Sequence, residues 1–271
     1  LASATTELGI GGDVRSSKCA VLVESGRFTL EKQAPVISYG EHADGILVTA
    51  RKSATAGPSD QVHVLARREN TTLTRLSGWD TLGFRGTCSL GFSLATSGDA
   101  DQIIPVPYAE IHTKSMHPFS HSVWSSLWLG IAADAVQKAR NFVRGEARKT
   151  PGTMPPSALR LAEVDAVLFS MRGGVYQAIG EYQDMLNAGD DTAFSSNFPF
   201  AVRINNLKVT SSTLIVEIVS KAMLICGING YRNDSPHSLG RQLRDAYGAA
   251  LMVNNDRILG QSSTIQIVLR E

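Results

Sequence analysis

The sequence predicts an α+β fold in two parts, an antiparallel β-barrel or sandwich followed by an antiparallel four-helix bundle. Three observations point there: short β-branched runs up to about residue 94, turn formers between them, and long apolar stripes of helical period after Ile103-Ile104-Pro105-Val106-Pro107. A chain of 271 residues suits two modest domains. The change of period places them at residues 1–108 and 109–271.

The β half carries Ala20-Val21-Leu22-Val23, Phe28-Thr29-Leu30, Val36-Ile37, Ile46-Leu47-Val48-Thr49 and Val62-His63-Val64-Leu65. Such runs are strand signals because branched side chains pack well on a pleated surface. Ser25-Gly26, Tyr39-Gly40 and Gly57-Pro58-Ser59 supply turns between them. Turns at this frequency leave no room for crossover helices, so a parallel sheet is not expected.

In the second half Val123, Leu127, Ile131, Ala135, Ala139 and Val143 mark one helix, ending near Pro151-Gly152. Leu161, Val164, Leu168, Met171, Val175, Tyr182 and Leu186 mark a second, stopping at Gly189. The third, residues 204–228, is apolar almost all round, which suits burial inside a bundle or an oligomer contact. A fourth is expected from about Ser238 to Ile258.

Composition narrows the partners. Lys plus Arg number 26 and Asp plus Glu 25, so a net charge of +1 gives no field to draw in nucleic acid or an anionic membrane. Apolar runs are interrupted well short of the roughly 20 residues that span a bilayer, and the start shows no basic segment leading into an apolar one. A cytoplasmic protein is expected. Cys19, Cys88 and Cys226 are odd in number and far apart, which fits buried free thiols rather than a metal knuckle or redox pair. Leu1 is not a methionine, and the chain opens as though a domain were under way, so a longer protein is expected.

Several strings carry chemistry. Ser3-Ala4-Thr5-Thr6-Glu7-Leu8-Gly9-Ile10-Gly11-Gly12-Asp13 offers hydroxyls and backbone N–H groups beside glycines that allow close approach of a ligand. Val36-Ile37-Ser38 ends a strand on a hydroxyl. Trp79-Asp80-Thr81-Leu82-Gly83-Phe84-Arg85-Gly86-Thr87-Cys88-Ser89 is the most specific stretch, with five donors on Arg85 to fix neighbouring loops. Glu146-Ala147-Arg148-Lys149-Thr150-Pro151-Gly152, Cys226-Gly227-Ile228-Asn229-Gly230-Tyr231 and Arg244-Asp245-Ala246 follow in the helical half. In content, order and rough spacing these strings resemble the acyl-CoA dehydrogenase family, whose usual N-terminal helical domain has no counterpart in this sequence.

The resemblance implies a flavoprotein binding FAD. Ser3, Thr5, Thr6, Gly11 and Gly12 would hold its pyrimidine edge and pyrophosphate, and Ser38 would stand beside its reactive nitrogen. Arg148 would reach the diphosphate of a neighbouring subunit's FAD, a fit for a guanidinium fork, and Gly227, Asn229 and Gly230 would let its dinucleotide end approach the backbone. Pro151 replaces the phenylalanine that usually follows that arginine. Bland readings stand beside these: a strand-end serine, a basic residue at a helix C-terminus, and a helix-terminating glycine.

The resemblance fails at the base. The family takes the α proton of an acyl thioester with a glutamate, nine residues after the Arg of Arg-Asp-Ala in most members, which here is Val253. A minority place it near the start of the first bundle helix, which here reads Ser120-His121-Ser122. Asp256, about one turn past Val253, and His121, with His117 one turn before it, are the remaining candidates for a catalytic group. A packed histidine pair and a solvated or capping aspartate are the plain alternatives, and two histidines lack the further ligands of a zinc site.

Three functions follow. The first is α,β-dehydrogenation of an acyl thioester on CoA or a carrier protein, by a homodimer or homotetramer that passes electrons to an electron-transfer protein. The second is an oxygen-using flavin monooxygenase on the same fold, which has no α proton to remove. The third is a catalytically silent partner subunit.

Overall fold

The structure is a computed structural model that describes residues 1–10, 13–189, 194 and 196–268, Val268 by its backbone alone. It divides into two compact units, Leu1–Thr113 and Lys114–Glu271.

The first unit holds β1 (Ala2–Ala4), β2 (Leu22–Glu24), β3 (Arg27–Ile37), β4 (Gly45–Arg51), β5 (Gln61–Arg67), β6 (Thr71–Ser77) and β7 (Leu90–Asp99), then a single-turn helix α1 (Tyr108–Ile111). They form two open sheets, ordered β1-β4-β5 and β2-β3-β7-β6. The sandwich expectation is met and neither sheet closes into a barrel. One pairing is parallel, β1 to β4, with Ala2 opposite Ile46 and Ala4 opposite Val48. No tight turn joins these strands; the long excursion through β2 and β3 supplies the crossover that parallel pairing needs.

Side chains alternate across a strand, so β3 turns Phe28, Leu30, Lys32 and Ala34 into the core with Val48, Val64, Phe92 and Leu94. A lysine at an inward position is the anomaly of this core. A bulge between Ala34 and Ile37, at Pro35, where a missing N–H would otherwise break the ladder, shifts the register before Ser38.

The second unit is built on α2 (His117–Lys149), α3 (Ser157–Ala188) and α4 (Phe198–Cys226). Arg140 meets Asp165, and Tyr182 Oη donates to Lys114 O, so α2 and α3 are antiparallel. Arg203 on α4 pairs with Glu181 near the end of α3, which reverses the direction again. Gly189 (φ 67°) stops α3 and Gly227 (φ 56°) stops α4, in conformations that cost glycine little. The four-residue apolar repeat of α2 does not stay on one face. Each step of four advances about 40° at 3.6 residues per turn, so Val123 and Leu127 are exposed while Trp128, Ala132, Ala135, Val136, Ala139 and Val143 are buried.

The third predicted helix is the core helix α4, packed by α2 and α3. Its length and hydropathy of 1.6 over one 18-residue window would suffice to cross a membrane, which corrects the expectation that no apolar stretch does so. Exposed aromatic residues occur on α3, with Phe169 at 74% and Tyr176 at 64% exposure. Of the cysteines, Cys226 is buried, Cys19 half-buried and Cys88 exposed, so the expectation of three buried thiols fails at Cys88.

The fourth predicted helix is two. After the single turn α5 (Ile228–Tyr231), α6 (Gly240–Gly248) ends before a turn, and α7 (Asn255–Val268) starts anew. Within that turn Val253 is held at φ 47°, where a β-branched side chain crowds its own backbone. Val253→Gly is therefore expected to raise stability by about 1 kcal/mol, after allowing for glycine's greater freedom when unfolded, read as an increased midpoint in urea denaturation.

Candidate functional site

Each unit carries a polar cluster built on residues singled out in the sequence. In the first, Thr6 Oγ1 donates to Val36 O at 3.2 Å and Leu8 N to Gln33 O at 3.0 Å, which lashes the segment after β1 along the far half of β3. Thr5 and Thr6 therefore lie close to the strand end that carries Ser38. Ser3 is exposed on β1. Gly11 and Gly12 lie outside the described residues.

Beneath these residues is a buried ionic group. Lys32 Nζ donates to Thr49 O at 2.6 Å and to Thr5 O at 3.4 Å, and lies 4.0 Å from Glu7. Glu7 accepts from the backbone N–H of Lys18 at 3.0 Å and of Cys19 at 2.8 Å. Burial lowers the lysine's pKa and pushes the Cys19 thiol up to about 12, so Cys19 is not a nucleophile. His63, bonded to Thr49 Oγ1 at 3.1 Å, is held down to about 4, first by burial and then by Lys32.

Ser38 Oγ lies 2.8 Å from Ser89 Oγ, which lies 2.6 Å from Thr87 Oγ1, which donates to Phe84 O at 2.9 Å. Tyr39 N donates to Thr87 O at 3.0 Å, clasping the two loops together. Tyr39, Phe84 and Cys88 all have positive φ, 57°, 52° and 45°, without being glycine. Strain of this kind gathers where a site over-determines its backbone. The expected role of Arg85 is not seen: it forms an exposed pair with Asp80, and the loop is fixed instead by Trp79 Nε1 and Thr87 on the Phe84 carbonyl.

In the second unit His121 is buried and its Nδ1 lies 2.8 Å from His117 O. A carbonyl only accepts, so Nδ1 carries a proton. His117 Nε2 lies 2.7 Å from Asn205 Oδ1, and Asn205 Nδ2 donates to Ser262 Oγ at 3.0 Å, tying α2, α4 and α7 together. Among the described residues no three His, Cys, Asp or Glu side chains gather as a metal site.

Asp256 is exposed in the first turn of α7, where its charge favours a helix N-terminus. The inward place falls to Asn255. Lys208, fully buried, donates from Nζ to Val253 O and to Asn255 Oδ1, both at 2.7 Å, with its charge 5.8 Å from the Trp128 ring centre. Asn255 Nδ2 in turn donates to Ser212 Oγ at 3.0 Å. Neither Lys208 nor Asn205 is singled out by sequence, because both sit singly in an apolar helix with no motif around them. A lysine at a core-facing position of α4 was the available signal.

Arg148 is exposed in the last turn of α2, about 40 Å along that helix from His121 at 1.5 Å per residue. Gly227 and Asn229 are exposed at the α4–α5 turn. Gly230 is buried, and a Cβ there would meet Cys226 Cβ at 2.9 Å, so its lack of a side chain serves packing. The second unit thus separates its histidine end from its arginine end.

A two-sheet β-domain followed by this bundle defines a class of proteins, and the sequence places the chain in it. The family model described as acyl-CoA dehydrogenase, C-terminal domain, matches residues 116–252, half of the chain, and the chain belongs to the acyl-CoA dehydrogenase family. It is 24% identical over 243 residues to the amino sugar nitrososynthase DnmZ of Streptomyces peucetius, which covers 89% of this chain and 59% of that protein. The chain therefore spans less than two thirds of that relative. The solved butyryl-CoA dehydrogenase from Megasphaera elsdenii superposes with a TM-score of 0.79 at 19% identity, over 98% of this chain and 67% of that one. The nitrososynthase from Micromonospora carbonacea var. africana does so at 0.79 and 18% identity, over 99% and 67%.

Burial holds the Lys208 ammonium down to about 8, below its ordinary 10.5. Between those values the unfolded chain binds more protons than the folded one, so this group makes stability rise with pH across that window. Wild type is expected to gain on Lys208→Met between pH 8 and 10.5, by up to about 1.4 kcal/mol per unit, in paired denaturation curves.

Proposed function

We propose that the chain forms part of a flavin-dependent monooxygenase that oxidises the nitrogen of a small amine, an amino sugar being the favoured class. The observation that carries this reading is the lack of a carboxylate at either place where the family keeps its base. Val253 holds one place, in a left-handed turn whose carbonyl is taken by Lys208. His121 holds the other. Oxidation at nitrogen removes no α proton and needs no such carboxylate. Likeness to an amino sugar nitrososynthase over 89% of the chain supports the same choice.

The polar groups suit a flavin. Thr6 and Ser38 offer hydroxyls at one strand end, and the guanidinium of Arg148 suits a diphosphate. FAD is the form we favour. When bound, the flavin supplies the electrons and the reaction with dioxygen. This chain's own residues bind the ring edge, hold the amine, and carry protons. His121, with Nδ1–H fixed on the His117 carbonyl, turns Nε2 to the proton transfer. The exposed aromatic residues of α3 support a homodimer or homotetramer.

A second reading is favoured by family membership itself: α,β-dehydrogenation of an acyl thioester, with electrons leaving to an electron-transfer protein. The full-length protein decides between them. With flavin bound, oxygen uptake that depends on a reduced-flavin supply and an amino sugar supports the monooxygenase. Bleaching of the flavin band by an acyl-CoA without oxygen supports the dehydrogenase. A folded protein that takes up no flavin overturns both and leaves a silent partner subunit. His121→Phe is expected to lower amine-dependent turnover at least 100-fold with flavin content unchanged, measured as the rate of hydroxylamine or nitroso product.

A further inference from the structure

We propose that Ser89 and Thr87 are positioning residues which hold the Ser38 hydroxyl as a hydrogen-bond acceptor, so that the rim formed with Thr6 selects the reduced flavin over the oxidised one. The inference rests on the flavin reading above and deepens it.

The hydrogen count forces the direction. Thr87 Oγ1 lies 2.9 Å from Phe84 O, and a carbonyl cannot donate, so the Thr87 proton goes there. The 2.6 Å contact between Thr87 and Ser89 then has only the Ser89 proton to fill it. The 2.8 Å contact between Ser89 and Ser38 is left to the Ser38 proton. Three hydroxyls, three contacts and one end that can only accept leave a single arrangement, in which Ser38 turns its proton inward. Whatever lies before Ser38 meets lone pairs. Thr6 behaves alike, since its proton goes to Val36 O at 3.2 Å.

The arrangement is held firmly. Ser89 is 3% exposed, and the Phe84 carbonyl that ends the chain also accepts from Trp79 Nε1 at 3.0 Å. The left-handed Phe84 and Cys88 flank Thr87, and Tyr39 N binds the Thr87 carbonyl, so both loops would have to move for the relay to reverse. A rim of acceptors takes N–H donors. The flavin ring gains N–H donors when it takes up two electrons and two protons; when oxidised, the same positions are acceptors. Opposed lone pairs therefore weaken the oxidised form and favour the reduced one. For a monooxygenase that receives its flavin already reduced, this bias acts at the binding step.

The test measures affinities of the full-length protein for oxidised FAD and for dithionite-reduced FAD, without oxygen, in wild type, Ser89→Ala, Thr87→Val and Ser89→Thr. In Ser89→Ala the Ser38 proton is released to turn outward. The preference for reduced over oxidised flavin is expected to fall about tenfold, equal to a drop of about 30 mV in the two-electron potential of the bound flavin. Thr87→Val, nearly isosteric, should move it the same way, and Ser89→Thr, which keeps the hydroxyl, should retain the wild-type value. A preference within twofold of wild type in both Ser89→Ala and Thr87→Val, with flavin still bound, overturns the relay alone. No flavin uptake by folded wild type overturns the flavin reading, and the relay falls with it.

Discussion

Lys32 occupies an inward position of β3, and the arrangement of its unit follows from what that charge requires. An ammonium buried to 1% exposure is costly unless fully paired. Its three partners come from two parts of the chain: the Thr49 carbonyl of β4, and the Thr5 carbonyl and Glu7 carboxylate of the segment after β1. Glu7 is itself drawn in and satisfied by two backbone N–H groups of the 18–19 turn. The segment between β1 and that turn therefore has little freedom, and Thr6 is delivered to the Val36 carbonyl as a consequence. An apolar residue at Lys32 would fill the core at least as well, but it would leave the Thr5–Glu7 segment with no reason to cross the sheet end.

The same logic works by backbone strain on the other side of that rim. Left-handed Tyr39, Phe84 and Cys88 each cost of order 1 kcal/mol or more relative to glycine. The clasp from Tyr39 N to Thr87 O and the load on the Phe84 carbonyl offset that cost. The strain is useful because a hydroxyl relay keeps one direction only if its terminal acceptor cannot rotate. A relaxed loop would let the Phe84 carbonyl turn to solvent and free all three hydroxyls.

Much of this was legible in sequence, for definite reasons. The strand runs, the change of period after Pro107 and the stop at Gly189 are local signals, and local signals survive folding. The parallel pairing of β1 was not legible, because no turn connects it to β4. The drift of the α2 stripe could have been found by taking the angle seriously: a repeat of four is not a repeat of 3.6. The break before α7 was hidden, since Ala249, Ala250, Leu251 and Met252 all favour helix and the break depends on Lys208, some forty residues earlier. Single polar residues in apolar helices, Asn205 and Lys208 among them, carry no motif, and their importance appears only when partners from other helices arrive.

The surroundings of Val253 involve more than that one residue. A carboxylate placed at residue 253 would enter a left-handed turn whose carbonyl is 2.7 Å from a buried ammonium. The turn is held there by Lys208, which donates to the Val253 carbonyl and to Asn255 Oδ1, so the core helix α4 fixes the backbone at residue 253. Asn255, the side chain that does face inward, is an amide bonded on both sides, to Lys208 and to Ser212, with no proton to accept. A fold can host different chemistry by changing its site, and here the turn that carries Val253 is tied by Lys208 and Asn255 to the core of the bundle.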